Sequence, residues 1–150
     1  MRNSKTHLRL WLKMLKASRL IENELRERLR IDFNTTLPQF DVMAALYRTE
    51  AGLKMSKLSG ELKVSNGNVT GIIDRLVKDD LVERVPVAND RRAMIVRLSE
   101  TGNASFTVMA EAHEAWVSEL MSSVGIVEAD QLMTTLGTIE HSLDKKELTQ

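Results

Sequence analysis

The sequence predicts a mainly α-helical chain with one small β-hairpin, in the order α-α-α-α-β-β-α-α. Three observations carry that prediction. Apolar residues recur at three- to four-residue steps over most of the 150 positions. The period shortens to two between Leu81 and Leu98. Breaks at Asp32–Leu37, Gly52 and Gly125 separate the helical segments.

The first helix is expected over residues 5–30, where Trp11, Leu15, Ile21, Leu25 and Leu29 lie near helical spacing among Lys and Arg. Thr36 is placed to cap the next helix, and Pro38 falls in its first turn, where a missing N–H costs little. Phe40, Met43, Ala44 and Tyr47 continue that helix until Gly52 ends the unit. Residues 55–62 form a short helix with Met55, Leu58 and Leu62 inward, and Ser56 is its expected cap. Lys63-Val64 makes a tight connection, Ser65 caps, and Asn66 to Asp79 is the fourth helix, with Val69, Ile72, Ile73, Leu76 and Val77 as its buried stripe.

Leu81, Val82, Val85 and Val87 then read as one strand, and Met94, Val96 and Leu98 as another. Ala88-Asn89-Asp90-Arg91-Arg92 is the expected polar turn between them. Ser99 or Thr101 starts a long helix with Val108, Met109, Ala112, Trp116 and Leu120 on its apolar face. After Gly125 a last helix carries Ile126, Leu132, Met133, Leu136, Ile139 and Leu143, spaced as in an interhelical seam.

Composition narrows the function classes. The formal net charge is zero, but it is unevenly spread: +6 over residues 1–30, −2 over 31–53, +3 over 54–99 and −7 over 100–150. A basic middle and an acidic tail suit one face meeting a polyanion. With no Cys, disulfides, thiolate metal sites and thiol redox sensing are excluded. No apolar run reaches the roughly 18–20 residues of a membrane span, and no signal peptide is seen, so a cytoplasmic protein is expected. No Gly-rich phosphate loop or Ser-nucleophile motif appears, and His7, His113 and His141 are far apart. An enzyme, a cofactor and a metal are therefore not expected. Zinc could be held only by ligands distant in sequence.

The positive signal lies in the middle of the chain. A short helix, a tight turn and a helix beginning Ser65-Asn66-Gly67-Asn68-Val69-Thr70 are the parts of a helix-turn-helix. Small polar residues at a helix N-terminus approach base edges and phosphates closely. Asn pairs with adenine, and the Thr methyl meets that of thymine. Arg75 lies further along, within reach of a phosphate. The hairpin that follows carries Arg91 and Arg92 beside Asp90. Arg suits phosphate and the narrow minor groove, and Asp90 is expected to fix an Arg rotamer by a charge-assisted hydrogen bond. Helix-turn-helix plus Arg-tipped hairpin is the winged helix-turn-helix arrangement.

From Leu58 to Gly102 the chain resembles the MarR family of transcriptional regulators. The resemblance is carried by the Ser65-to-Thr70 helix start, Asp74-Arg75-Leu76, Leu81-Val82-Glu83-Arg84, Asp90-Arg91-Arg92-Ala93 and Leu98-Ser99-Glu100-Thr101-Gly102, with Leu37-Pro38-Gln39-Phe40 upstream. It implies one domain over 1–150, in which 1–34 and 101–150 join two subunits and 35–100 binds double-stranded DNA. It further implies a homodimer, with Asn66, Asn68 and Thr70 reading bases, Arg92 at the wing tip held by Asp90, and Arg91 near the backbone. A repressor released by a small aromatic or phenolic acid follows from the same resemblance. Trp11, Phe40, Met43, Met109 and His113, with Trp116, are the residues expected to line such an effector's cavity, although core packing accounts for them equally. Asp80 departs from the family's usual Gly but tolerates the left-handed backbone that ends a helix. Two other classes remain open: a non-specific architectural DNA binder, and a winged-helix adaptor that binds protein.

Overall fold

The computed structural model describes residues 2–62 and 66–147. The elements run α1 (Arg2–Phe33), α2 (Leu37–Tyr47), β1 (Leu53–Lys54), α3 (Met55–Leu62), α4 (Asn66–Lys78), β2 (Val82–Val87), β3 (Asp90–Leu98), α5 (Glu100–Leu120) and α6 (Ile126–Glu147). They fall into two compact units, Met1–Trp116 and Val117–Gln150.

In the first unit, α1 ends because Asn34 turns left-handed at φ 49°. The Asn34 N–H then reaches back to the Arg30 carbonyl at 3.1 Å. The expected cap of α2 forms as a reciprocal box: Thr36 Oγ1 accepts from the Gln39 N–H at 3.2 Å, and Gln39 Oε1 accepts from the Thr36 N–H at 3.4 Å. Phe40, Val42, Met43, Ala45 and Leu46 of α2 are buried, and the core closes around them with Leu29, Leu58, Val69, Ile73, Leu76, Val96 and Phe106. Burying each large apolar side chain contributes about 1.5–3 kcal/mol.

The sheet has order β1-β3-β2, antiparallel throughout. Strand β1 is an addition to the expected order. Its two residues, paired Leu53 to Val96 and Lys54 to Ile95, are too few to show a period. Gly52 sets it in place at φ 91°: a Cβ there would lie 2.7 Å from the Val96 carbonyl oxygen and collide with Ile95.

Two other expectations are corrected. Helix α3 begins at Met55, so Ser56 lies inside its first turn rather than in front of it. The inward face of α5 is built from Gly102, Phe106 and Met109, whereas Val108 is 58% exposed. Phe106 draws α5 onto α2 by packing against Phe40 at 5.2 Å and Tyr47 at 5.0 Å between ring centroids.

In the second unit, the Gly125 carbonyl accepts from the Ala129 N–H at 2.8 Å to start α6. Ile126, Leu132, Met133, Leu136, Ile139 and Leu143 are all exposed on the single chain.

Candidate nucleic-acid interface

Helix α4 packs on α2, α3 and β2 through Val69, Ile73 and Leu76, which are completely or almost completely buried. Its other side turns Asn68, Thr70, Gly71, Asp74, Arg75 and Lys78 to solvent. The amphipathic pattern therefore presents a polar face with two of the expected base-reading residues, Asn68 and Thr70, on it. Asn66 is the first residue of α4; its side chain, like that of Arg91 in β3, lies outside what the structure describes. Ser65, the expected cap, also lies outside the described residues. Arg75 is 61% exposed and paired with Asp79 at 3.2 Å. Such a surface pair contributes about 0–1 kcal/mol and leaves the guanidinium open to a second anion.

The junction from α4 to the hairpin is tightly determined. Asp80 takes the left-handed conformation at φ 60°. Its N–H bonds to the Val77 carbonyl at 3.0 Å and that of Leu81 to the Leu76 carbonyl at 2.9 Å, a Schellman ending made without glycine. Ser99 locks the same point from the other side. Its hydroxyl donates to the Asp80 carbonyl at 2.6 Å and accepts from the Gly102 N–H at 2.9 Å, while its own N–H donates to the Leu81 carbonyl at 3.0 Å. Of the two candidate starts of α5, Ser99 is thus the cap. Gly102 is required because a Cβ would run into the Leu81 carbonyl.

The hairpin is built differently at its tip from the expected five-residue turn. Only Ala88 and Asn89 form the turn, with Asn89 at φ 69°. Asp90, Arg91 and Arg92 already belong to β3. Pairing runs regularly from Val82–Leu98 to Pro86–Met94 and then jumps to Val87–Asp90, so residues 91–93 bulge out of the ladder. The Asp90 carboxylate accepts from the Arg92 backbone N–H at 3.1 Å. The carboxylate thus shapes the bulge, and the exposed Arg92 side chain projects from it. Below the tip, Arg97 pairs with Glu83 at 3.3 Å across the strands, and Arg84 of β2 pairs with Asp74 of α4, tying wing to helix. The sequence alone assigns no role to Asp74 or Arg84; ten residues apart, they meet only once β2 folds back beside α4.

Next to α4 lies a groove of about 590 Å³ lined by Arg26 and Arg30 of α1, the start of α2, and Asn68, Gly71, Ile72 and Arg75. In the sequence, Arg26 and Arg30 are visible only as part of the excess positive charge of residues 1–30. A second cleft of about 590 Å³ has Phe33, Thr35, Arg75, Ser105 and Met109 among its walls. Of the residues expected around an effector, Met109 thus borders a cleft, Phe40 and Met43 lie in the buried core, and Trp11 is 53% exposed. His113 stacks on Phe40 at 4.5 Å between ring centres. Desolvation holds its pKa below the usual imidazole value, partly opposed by attraction to Asp41. Asp41 is itself raised, chiefly by desolvation, with the His113 attraction lowering it and repulsion from Glu22 adding to the rise. Among the described residues, no group of three or more His, Asp or Glu is arranged to hold a metal, and no helix is long and apolar enough to cross a membrane.

Comparison with known proteins agrees with this geometry. The MarR family model matches residues 35–94, from the cap of α2 to the wing. The crystal structure of a MarR family transcriptional regulator from Silicibacter pomeroyi superposes with a TM-score of 0.81 at 34% identity, covering 95% of this chain and 99% of that one. The chain belongs to the MarR family of transcriptional regulators. Its MarR-family fold is a winged helix-turn-helix, mainly helical with a small antiparallel sheet, and the family consists of transcription regulators, not enzymes. A MarR variant from E. coli, solved in complex with operator DNA, is 26% identical with a TM-score of 0.77, over 89% of this chain and 95% of that one. Among named relatives, the HTH-type transcriptional regulator PecS from Dickeya dadantii is 26% identical over 130 residues, 85% of this chain and 78% of PecS.

Proposed function

We propose that this MarR-family chain is a homodimeric, sequence-specific reader of double-stranded DNA. Helix α4 would enter the major groove with Ser65, Asn66, Asn68, Thr70 and Arg75, and the wing would set Arg92 into the adjacent minor groove with Arg91 near the backbone and Asp90 shaping the bulge. The observation that carries the reading is the joining of the polar face of α4 to an Arg-tipped wing through Asp74–Arg84 and the Ser99 lock. A relative of the same fold being solved on operator DNA supports it. The exposed apolar side chains of α1, among them Leu8, Trp11 and Leu12, and those of α6 support association into a dimer. In that division of labour, residues 35–100 bind DNA and residues 1–34 and 101–150 join the subunits. The two-fold complex would span half-sites about one helical turn apart, and the protein would work in the cytoplasm, with the DNA.

The finer reading is a repressor released by a small aromatic or phenolic acid. Its support is the cleft beside Phe33 and Met109, with the Arg75 guanidinium in its wall to meet a carboxylate. Coupling is reciprocal, so operator DNA would weaken effector binding by the same factor.

The test is Arg92→Ala, measured by fluorescence anisotropy on an operator duplex with the dimer monitored by sedimentation. Loss of one minor-groove Arg per subunit is expected to weaken binding by about tenfold or more, in line with about 1–3 kcal/mol for a good contact, with the dimer intact. Unchanged affinity would remove Arg92 from the interface. Equal affinity for operator and scrambled duplex would favour an architectural binder, and no binding at low salt would favour an adaptor.

A further inference from the structure

The groove between α1, α2 and α4 is not accounted for by the recognition helix and wing alone. We propose that it is a cradle for the sugar-phosphate backbone of the bound duplex, in which Arg26 and Arg30 of α1, together with Arg75, hold the strand flanking the bases read by α4. This inference rests on the DNA-binding reading and extends it to a helix assigned only to dimerisation.

The placement follows from helix geometry. Arg26 and Arg30 are four residues apart, so they share one face of α1, and both line the groove opposite Asn68, Gly71 and Arg75. Those three α4 residues also belong to the exposed face of that helix. A strand lying along α4 in a major groove therefore continues over the groove without leaving the surface. Leu37, Pro38 and Ile72 supply apolar lining that suits the C–H faces of deoxyribose.

The charge must come from the guanidinium groups. The N-terminus of α2 opens on the groove, but its Gln39 N–H is already taken by the Thr36 hydroxyl, and Pro38 has no N–H to give. The arginines are held ready by their own neighbours. Arg26 Nη1 donates to Asn23 Oδ1 at 2.8 Å. Arg30 donates from Nε and Nη2 to the Glu27 carboxylate at 3.2 and 2.6 Å, which holds Glu27 below the usual carboxylate range, chiefly through that hydrogen bond. Arg30 keeps further N–H donors for a phosphate, since a guanidinium carries five. Glu27 orients the side chain but also places a negative charge next to a polyanion, so it opposes binding. Opposite effects are therefore expected from neighbouring residues.

The experiment compares wild type, the double variant Arg26→Gln/Arg30→Gln, and Glu27→Gln, on the duplex selected by the wild-type protein and on a scrambled duplex. Binding is followed by anisotropy across a salt series, with circular dichroism confirming the helical fold. The double variant should lower the slope of log K against log salt by about 0.9 for each phosphate that is no longer neutralised, about 1.8 per subunit. Both duplexes should lose affinity alike, because backbone contacts carry no sequence information. Glu27→Gln should bind both duplexes more tightly. A slope unchanged in the double variant, or Glu27→Gln binding no more tightly than wild type, would overturn the cradle while leaving the regulator reading intact. Loss of benzoate binding in the double variant, with its DNA slope unchanged, would reassign the groove to a small carboxylate and likewise overturn the proposal. Failure of the wild type to bind DNA would overturn both.

Discussion

Gly102→Ala is the substitution with the most definite structural consequence. Gly102 sits in the first turn of α5, against the Leu81 main chain. A Cβ at this position lies 2.7 Å from the Leu81 carbonyl carbon, and its oxygen is nearer still. The obstacle is backbone, so no side-chain rotation relieves it. Either α5 or the start of β2 must move, and the Ser99 lock is strung between them: Ser99 N–H to Leu81 oxygen at 3.0 Å, Gly102 N–H to Ser99 Oγ at 2.9 Å and Ser99 Oγ to Asp80 oxygen at 2.6 Å. Losing two of these bonds costs about 1 kcal/mol each, and more where a partly buried group is left without a partner. Ala recovers at most about 1 kcal/mol of helix propensity. The net expectation is about 1–3 kcal/mol of destabilisation, lowering Tm by roughly 2–12 °C for a chain of this size. Thermal and urea unfolding of the purified protein measure it. Gly60→Ala is the control: its Cβ would meet nothing within 4 Å, so it should gain about 0.5–1 kcal/mol. A Gly102→Ala protein as stable as wild type would show that the junction between α4 and the wing is not held as described.

Two further outcomes follow from a buried hydroxyl and a half-buried imidazole. The Ser59 hydroxyl of α3 is buried without a hydrogen-bond partner among the described residues, so Ser59→Ala should stabilise by about 1 kcal/mol, read as a raised urea midpoint. A lowered midpoint would mean that the hydroxyl is satisfied. The folded state holds His113 below its usual pKa, so as pH falls through the ordinary imidazole range the unfolded chain takes up the proton first and stability declines. His113→Gln should flatten the fall in Tm between about pH 7 and pH 5, whereas a slope identical to wild type would assign that decline to other groups.

Several parts of this fold are legible in the sequence because they depend on neighbours in the chain. Thr36 and Gln39 form their box within one helical turn, and Asp80 ends α4 in the left-handed conformation expected of it. The buried stripe of α4 follows from periodicity alone, with Val69, Ile73 and Leu76 inside and Ile72 and Val77 partly covered. What escapes is set by partners distant in sequence. Strand β1 exists because Gly52 lets two residues reach Val96 and Ile95. Phe106 becomes core, and Val108 does not, because α2 lies on that side of α5.

The candidate site divides in the same way. Asn68, Thr70 and Arg92 are found exposed where the motif reading put them. The bulge at residues 91–93 depends on which β2 residue pairs with which in β3, so the true position of Asp90 and its bond to the Arg92 amide stay hidden until the register is known. Arg26 and Arg30 appear in the sequence only as excess charge on a helix. Their groove forms when the end of α1, the start of α2 and α4 come together.

The central claim is that two copies of this chain read a two-fold DNA sequence through α4 and the wing. Selection of bound sequences from a random duplex library, followed by a salt titration on the winner, tests it most directly. A palindromic consensus with half-sites about one helical turn apart is expected, with an affinity that falls steeply with salt, as phosphate contacts require. Recovery of unenriched sequences, bound equally well whatever their order, would contradict it.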